Sequence, residues 1–94
     1  MMEAVISAEV YCEWDTEPPA YRLYFGKDLL TERTYRWRND EYFIRERILV
    51  HTEPGTHELK VVAVNPAHQD KFSIRNVYIN NVLSPVVNNQ IIIQ

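Results

Sequence analysis

The chain has 94 residues, a formal net charge of -3 and an apolar content of 46%. That length fits one domain with a modest core, and the negative balance gives no electrostatic case for nucleic acid. No apolar run approaches the length of a membrane span, the acidic, alternating start MMEAVISAEVY does not read as a signal peptide, and the single Cys12 excludes an intramolecular disulfide.

Residues 3–14 read as a strand. Ala4, Ile6, Ala8, Val10, Cys12 and Trp14 take one face, and Ser7, Glu9 and Glu13 take the other, the period of two that a half-buried strand requires. Cys12 falls in the apolar register and is expected to be a small buried thiol, as free cysteines usually are. Asp15 to Ala20 is a loop, because its two prolines cannot donate to a ladder. Tyr21, Leu23 and Phe25 alternate in a second strand. Gly26-Lys27-Asp28 turns the chain, and Glu32 to Trp37 is expected to be a short third strand. Arg38-Asn39-Asp40 is the next predicted turn.

Residues 42–64, YFIRERILVHTEPGTHELKVVAV, read as a β-hairpin about Pro54-Gly55, since proline pre-sets φ and glycine accepts φ > 0. Centring the turn there pairs Val50 with Leu59, Ile48 with Val61 and Glu46 with Ala63. One face is then almost wholly apolar, which pins the register. The other face carries Arg45, Arg47, Leu49 and His51 against Glu58, Lys60, Val62 and Val64. Asn65 to Asp70 is expected to be a loop that Pro66 keeps out of the strand. Phe72 and Ile74 share one parity, and Val77 and Ile79 the other, so a β-bulge near Arg75-Asn76 is predicted. Asn80-Asn81 and Ser84-Pro85 read as turns. Gln90 to Gln94 reads as a last strand whose isoleucine run suggests burial on both faces. Six or seven short strands without a helical period predict an all-β fold, an antiparallel β-sandwich or jelly roll, over residues 1–94 as one domain.

No catalytic, cofactor or metal site emerges from the residues. His51 and His57 fall on opposite faces, whereas a zinc site needs three or four convergent ligands. Glu9 and Glu13 stand roughly 13 Å apart on a strand, wider than a glycosidase pair. No glycine-rich phosphate loop is present. The remaining candidates are surfaces. Leu49, Val62 and Val64, with Ile91, Ile92 and Ile93, form a candidate apolar interface rimmed by Arg45 and Arg47. Such a patch predicts a homo-oligomer or a larger assembly. Tyr35, Trp37 and Tyr42 form an alternative, an aromatic platform for sugars.

The pieces AYRLYFGKDLL, PGTHELKVVAVN and FSIRNVYINNV, in that order, resemble small carbohydrate-binding β-sandwich modules, particularly calcium-dependent xylan-binding ones. The resemblance implies glycan binding and calcium held by carboxylates in the loop before the RN-x-Y strand. Here that loop is Asn65 to Lys71, and Asp70 is its only acid, fewer oxygen ligands than calcium requires. The small size and strand-turn-strand style are also similar to accessory structural proteins of tailed bacteriophages. The expectation carried forward is a non-enzymatic module acting through protein contacts, in a virion (alternatively the cytoplasm), with carbohydrate binding as the alternative.

Overall fold

The computed structural model describes residues 2–37 and 42–94, so the predicted turn at Arg38-Asn39-Asp40 lies outside the described residues. The described residues form eight strands: β1 Met2–Cys12, β2 Ala20–Phe25, β3 Asp28–Thr34, β4 Ile44–Thr52, β5 Gly55–Ala63, β6 Phe72–Ile79, β7 Val82–Leu83 and β8 Gln90–Ile93. They form two antiparallel four-stranded sheets, ordered β4-β1-β6-β7 and β3-β2-β5-β8, packed face to face as the expected β-sandwich.

The central hairpin is not formed. β4 and β5 lie in different sheets, so the chain crosses the sandwich at Glu53 and Pro54 instead of folding back beside itself. Val50 pairs with Ala4, Ile48 with Ile6 and Glu46 with Ala8 on β1. Leu59 pairs with Phe25, Val61 with Leu23 and Ala63 with Tyr21 on β2. The inward and outward parities still hold, because alternation along a strand is the same whichever neighbour it pairs with. The crossing is fastened by His57, whose Nε2 lies 2.7 Å from the Glu53 carbonyl and 3.3 Å from Thr52 Oγ1, with its ring stacked on Phe25 at 4.9 Å.

β1 sits between β4 and β6, and its inward residues Ala4, Ile6, Ala8, Val10 and Cys12 are all buried. Its pairing with β6 shifts between Ser7 and Glu9, and Asn76 takes φ +51°, which is the bulge expected near Arg75-Asn76. The extra residue re-aims β6, so that Phe72, Val77 and Ile79 all reach the core. β2 and β3 join through Gly26-Lys27, with Gly26 at φ +60°, the first central position of a tight hairpin turn. β3 therefore begins at Asp28 rather than Glu32 and ends before Tyr35. Its exposure does not alternate, so no period of two marks its start in the sequence. Residues Pro66–Lys71 form a short 3-10 helix rather than an open loop, capped by Asn65, whose side chain accepts from the Ala67 amide at 3.1 Å.

β8 pairs with β5 and sends Ile91 and Ile93 into this domain's own core, at 0% and 1% exposure. The isoleucine run is therefore not buried on both faces. Ile92 alone points outward.

The sandwich has two lateral seams, and they are closed differently. At the β3–β4 seam, Glu46 points inward and is buried. Arg33 Nε reaches it from the opposite sheet at 2.7 and 2.9 Å, and the Tyr21 hydroxyl donates at 3.3 Å. Burial pushes the Tyr21 hydroxyl well above its ordinary pKa, with the Glu46 charge beside it adding to the rise. The exposed Arg22–Glu32 pair at 2.7 Å gives an internal comparison. Arg33→Ala leaves a buried carboxylate without its counter-charge. It is expected to cost about 3 kcal/mol, the low end for a broken buried pair because Arg33 is itself half exposed. Arg22→Ala should cost under about 1 kcal/mol, as surface pairs do. Urea unfolding of both variants checks this; equal losses would contradict the role given to Arg33.

Candidate functional site

The other seam, between β7 and β8, has no such closure. β7 holds two residues and is the outermost strand of its sheet. It follows β6 through Asn80-Asn81, both with φ > 0 (52° and 66°), as a two-residue hairpin turn requires. The chain then crosses to the second sheet through residues 84–89. Asn88 and Asn89, again with φ > 0 (53° and 63°), turn it back so that Val87 bridges Gln90. β8 is the outermost strand of the second sheet.

Between β7, this crossover and the free edge of β8 lies an open groove of about 570 Å³. Val82, Leu83 and Val87 from one side and Ile92 from the other line it, and each is at least 60% exposed. Ile79 and Pro85 also line it, and the rest, including Thr56, Asn80, Ser84, Gln90 and Gln94, have polar but uncharged side chains. No charged residue occurs anywhere from Asn76 to Gln94. Large aliphatic side chains on two edge strands, with no charge to guard them, make the kind of surface that isolated soluble domains usually avoid.

The interface residues expected from sequence are not brought together. Arg45, Arg47 and Leu49 lie on the outer face of the β4-β1-β6-β7 sheet. Val62 and Val64 lie on the opposite side of the sandwich, Val62 on the outer face of β5 and Val64 just past its end. The supposed common patch depended on the hairpin, and it disappears with it. Ile91 and Ile93 are core residues, and only Ile92 joins the groove. Val82, Leu83 and Val87 were missed by the sequence reading. Their signal was the run NNVLSPVVNN, an apolar segment held between two Asn-Asn turns and containing no charge.

Arg45 and Arg47 have local partners. Arg45 donates to Glu9 at 3.1 Å, and Arg47 reaches Asn81 Oδ1 at 3.4 Å. Glu9 also accepts from the Tyr11 hydroxyl and from Asn76 Nδ2, each at 2.9 Å. Burial pulls the Glu9 carboxyl up, but the bonds from Asn76, Tyr11 and Arg45 outweigh it and hold the group below its ordinary pKa. The bulge at Asn76 therefore has a second consequence: it delivers an amide donor to a buried carboxylate on the outer sheet face. Arg75 stacks over Tyr11 at 4.3 Å beside this network.

Of the aromatic platform, Tyr35 is wholly buried and donates to the Tyr42 carbonyl at 2.6 Å. Trp37 and Tyr42 are half exposed and stack on each other at 5.4 Å and 25°. The Trp14 indole N–H donates to the Trp37 carbonyl at 2.6 Å and anchors that end of the pair. Among the described residues, no three His, Cys, Asp or Glu side chains gather as metal ligands. His51 lies 3.7 Å from Glu3 on the outer face, and His57 serves the crossing between sheets. Cys12 is buried, and that burial pushes its thiol up to about 11, far from the thiolate that nucleophilic chemistry needs.

No family model matches the chain, and no curated protein or solved structure matches it.

Proposed function

We propose that this chain is a non-enzymatic interaction module that assembles through protein contacts at its β7–β8 seam. The observation that carries the reading is the groove itself: exposed Val82, Leu83, Val87 and Ile92 between two edge strands, with no charged side chain in the lining. Such a surface suits another apolar protein surface or strand, which removes it from water. The opposite seam is closed among the described residues by the polar contact of Glu46 with Arg33 and Tyr21. The similarity in type to accessory proteins of tailed-phage particles makes a virion the setting proposed for this assembly.

Carbohydrate binding is the second reading, and the exposed Trp37–Tyr42 stack favours it, since flat aromatic faces suit sugar rings. Under this reading, xylo-oligosaccharides shift the tryptophan emission saturably and Trp37→Ala abolishes the shift. Unchanged emission in the unaltered protein would remove this reading.

The assembly reading predicts that the tagged chain, in extracts of the cells or particles that contain it, elutes well above its own 11.2 kDa. The double substitution Val82→Asp, Leu83→Asp should return it to the monomer position with its β-sheet circular dichroism intact. Each aliphatic side chain contributes about 1.5 kcal/mol or more on burial, so the pair should weaken binding by about a hundredfold. Elution of the unaltered chain as a monomer would contradict the reading.

A further inference from the structure

We propose that the free edge of β8 pairs with β8 of a second copy of this chain, joining two sandwiches through the backbone at Ile92. The inference rests on the seam being a contact surface, and adds the partner and the mode of contact.

The backbone directions come first. The Asn89 carbonyl accepts from the Leu59 amide on β5 at 2.7 Å. The Gln90 N–H and C=O instead bond Val87, on the other side, at 3.0 and 3.2 Å. Successive residues of a strand direct their backbone groups to alternate sides. The N–H and C=O of Ile92 therefore point where those of Gln90 point, away from β5. Among the described residues the crossover bonds neither of them. The residue that would next meet Ile92 after the Val87–Gln90 bridge is Pro85, which has no N–H to give. The ladder stops there, and β8 beyond Gln90 presents an unpaired donor and acceptor to the groove. An added β-strand satisfies both, and main-chain bonds of this kind are how extended segments join exposed sheet edges.

Charge selects which strand. In a two-fold contact each copy offers the same patch, so any charge near the axis meets its own kind. The molecule carries a net charge of -3, so a self-contact centred on its acidic groups would meet that repulsion. The segment from Asn76 to Gln94 has no charged side chain, and no charged side chain lines the groove. A charged peptide would find no counter-ion there, whereas an identical neutral edge finds a matching one. Val87 already occupies the edge at Gln90, so the paired stretch lies beyond it, at Ile92. The exposed Ile92 side chains of the two copies then pack across the axis.

The test is sedimentation velocity on the purified full chain over a hundredfold range of concentration, with circular dichroism as the control for folding. The unaltered chain should reach twice its monomer mass. Ile92→Pro removes only an N–H that faces away from the sheet, a position where edge strands tolerate proline. It should keep the fold and weaken dimerisation tenfold or more. Ile92→Lys, which sets like charges across the axis, should do the same if the proline variant misfolds. Leu49→Lys, exposed on the outer face of the other sheet, should stay dimeric. A purified chain that stays monomeric at the highest concentration overturns the proposal, as does a dimer that both Ile92 variants leave intact. A monomeric purified chain that still enters a seam-dependent complex in extracts overturns self-pairing alone and leaves the assembly reading standing.

Discussion

Two residues, Glu53 and Pro54, carry the chain from one sheet to the other, and the rest of the architecture depends on that crossing. Had β4 and β5 paired side by side, their apolar faces would have lain in one sheet. Because they part, those faces oppose each other through the sandwich and become the two walls of one core. Glu46 shares the inward parity of β4, so its carboxylate points into the sandwich. A buried carboxylate is tolerable only with hydrogen-bonded counter-charge. Arg33 from the facing sheet and the Tyr21 hydroxyl supply it, and in doing so they tie the two sheets together along one seam.

The opposite seam shows what the fold looks like without such a tie. β7 is cut to two residues and β8 to four, and both are short in the manner of protected edges. Neither carries the lysine or glutamate that usually guards an edge, and Val82, Leu83 and Ile92 stand exposed instead. The polar closure of one seam and the neutral, apolar opening of the other give the molecule a direction. One side completes the fold, and the other is available to a partner. The Glu9 network on the outer sheet face is self-satisfied, with three donors around one carboxylate, and it steadies the bulge rather than offering a free binding group.

Much of the strand content was legible because a period of two survives any choice of partner. The inward sets Ala4–Ile6–Ala8–Val10–Cys12 and Tyr21–Leu23–Phe25 follow directly from it. So does the bulge at Arg75-Asn76, where the parity changes within one strand, and the Asn80-Asn81 turn follows from residues that accept φ > 0. Strand pairing was not legible. Alternation is identical for a hairpin and for two strands that face each other across a core, and Pro54-Gly55 suits either connection. That one ambiguity displaced the candidate site. It merged Leu49 with Val62 and Val64, which lie on opposite sides of the molecule, and it drew attention away from NNVLSPVVNN, where the exposed aliphatic surface lies. The isoleucine run misled for a related reason: β-branched residues suit a strand whether one face or both are covered.

The crossing at Glu53-Pro54 is therefore the claim to test first, and nuclear Overhauser contacts between backbone protons of the isolated protein test it directly. The account requires cross-strand contacts between Ile48 and Ile6 and between Leu59 and Phe25, with none between the backbones of β4 and β5. Backbone contacts joining Ile48 to Val61 and Val50 to Leu59 would restore the hairpin and contradict the account.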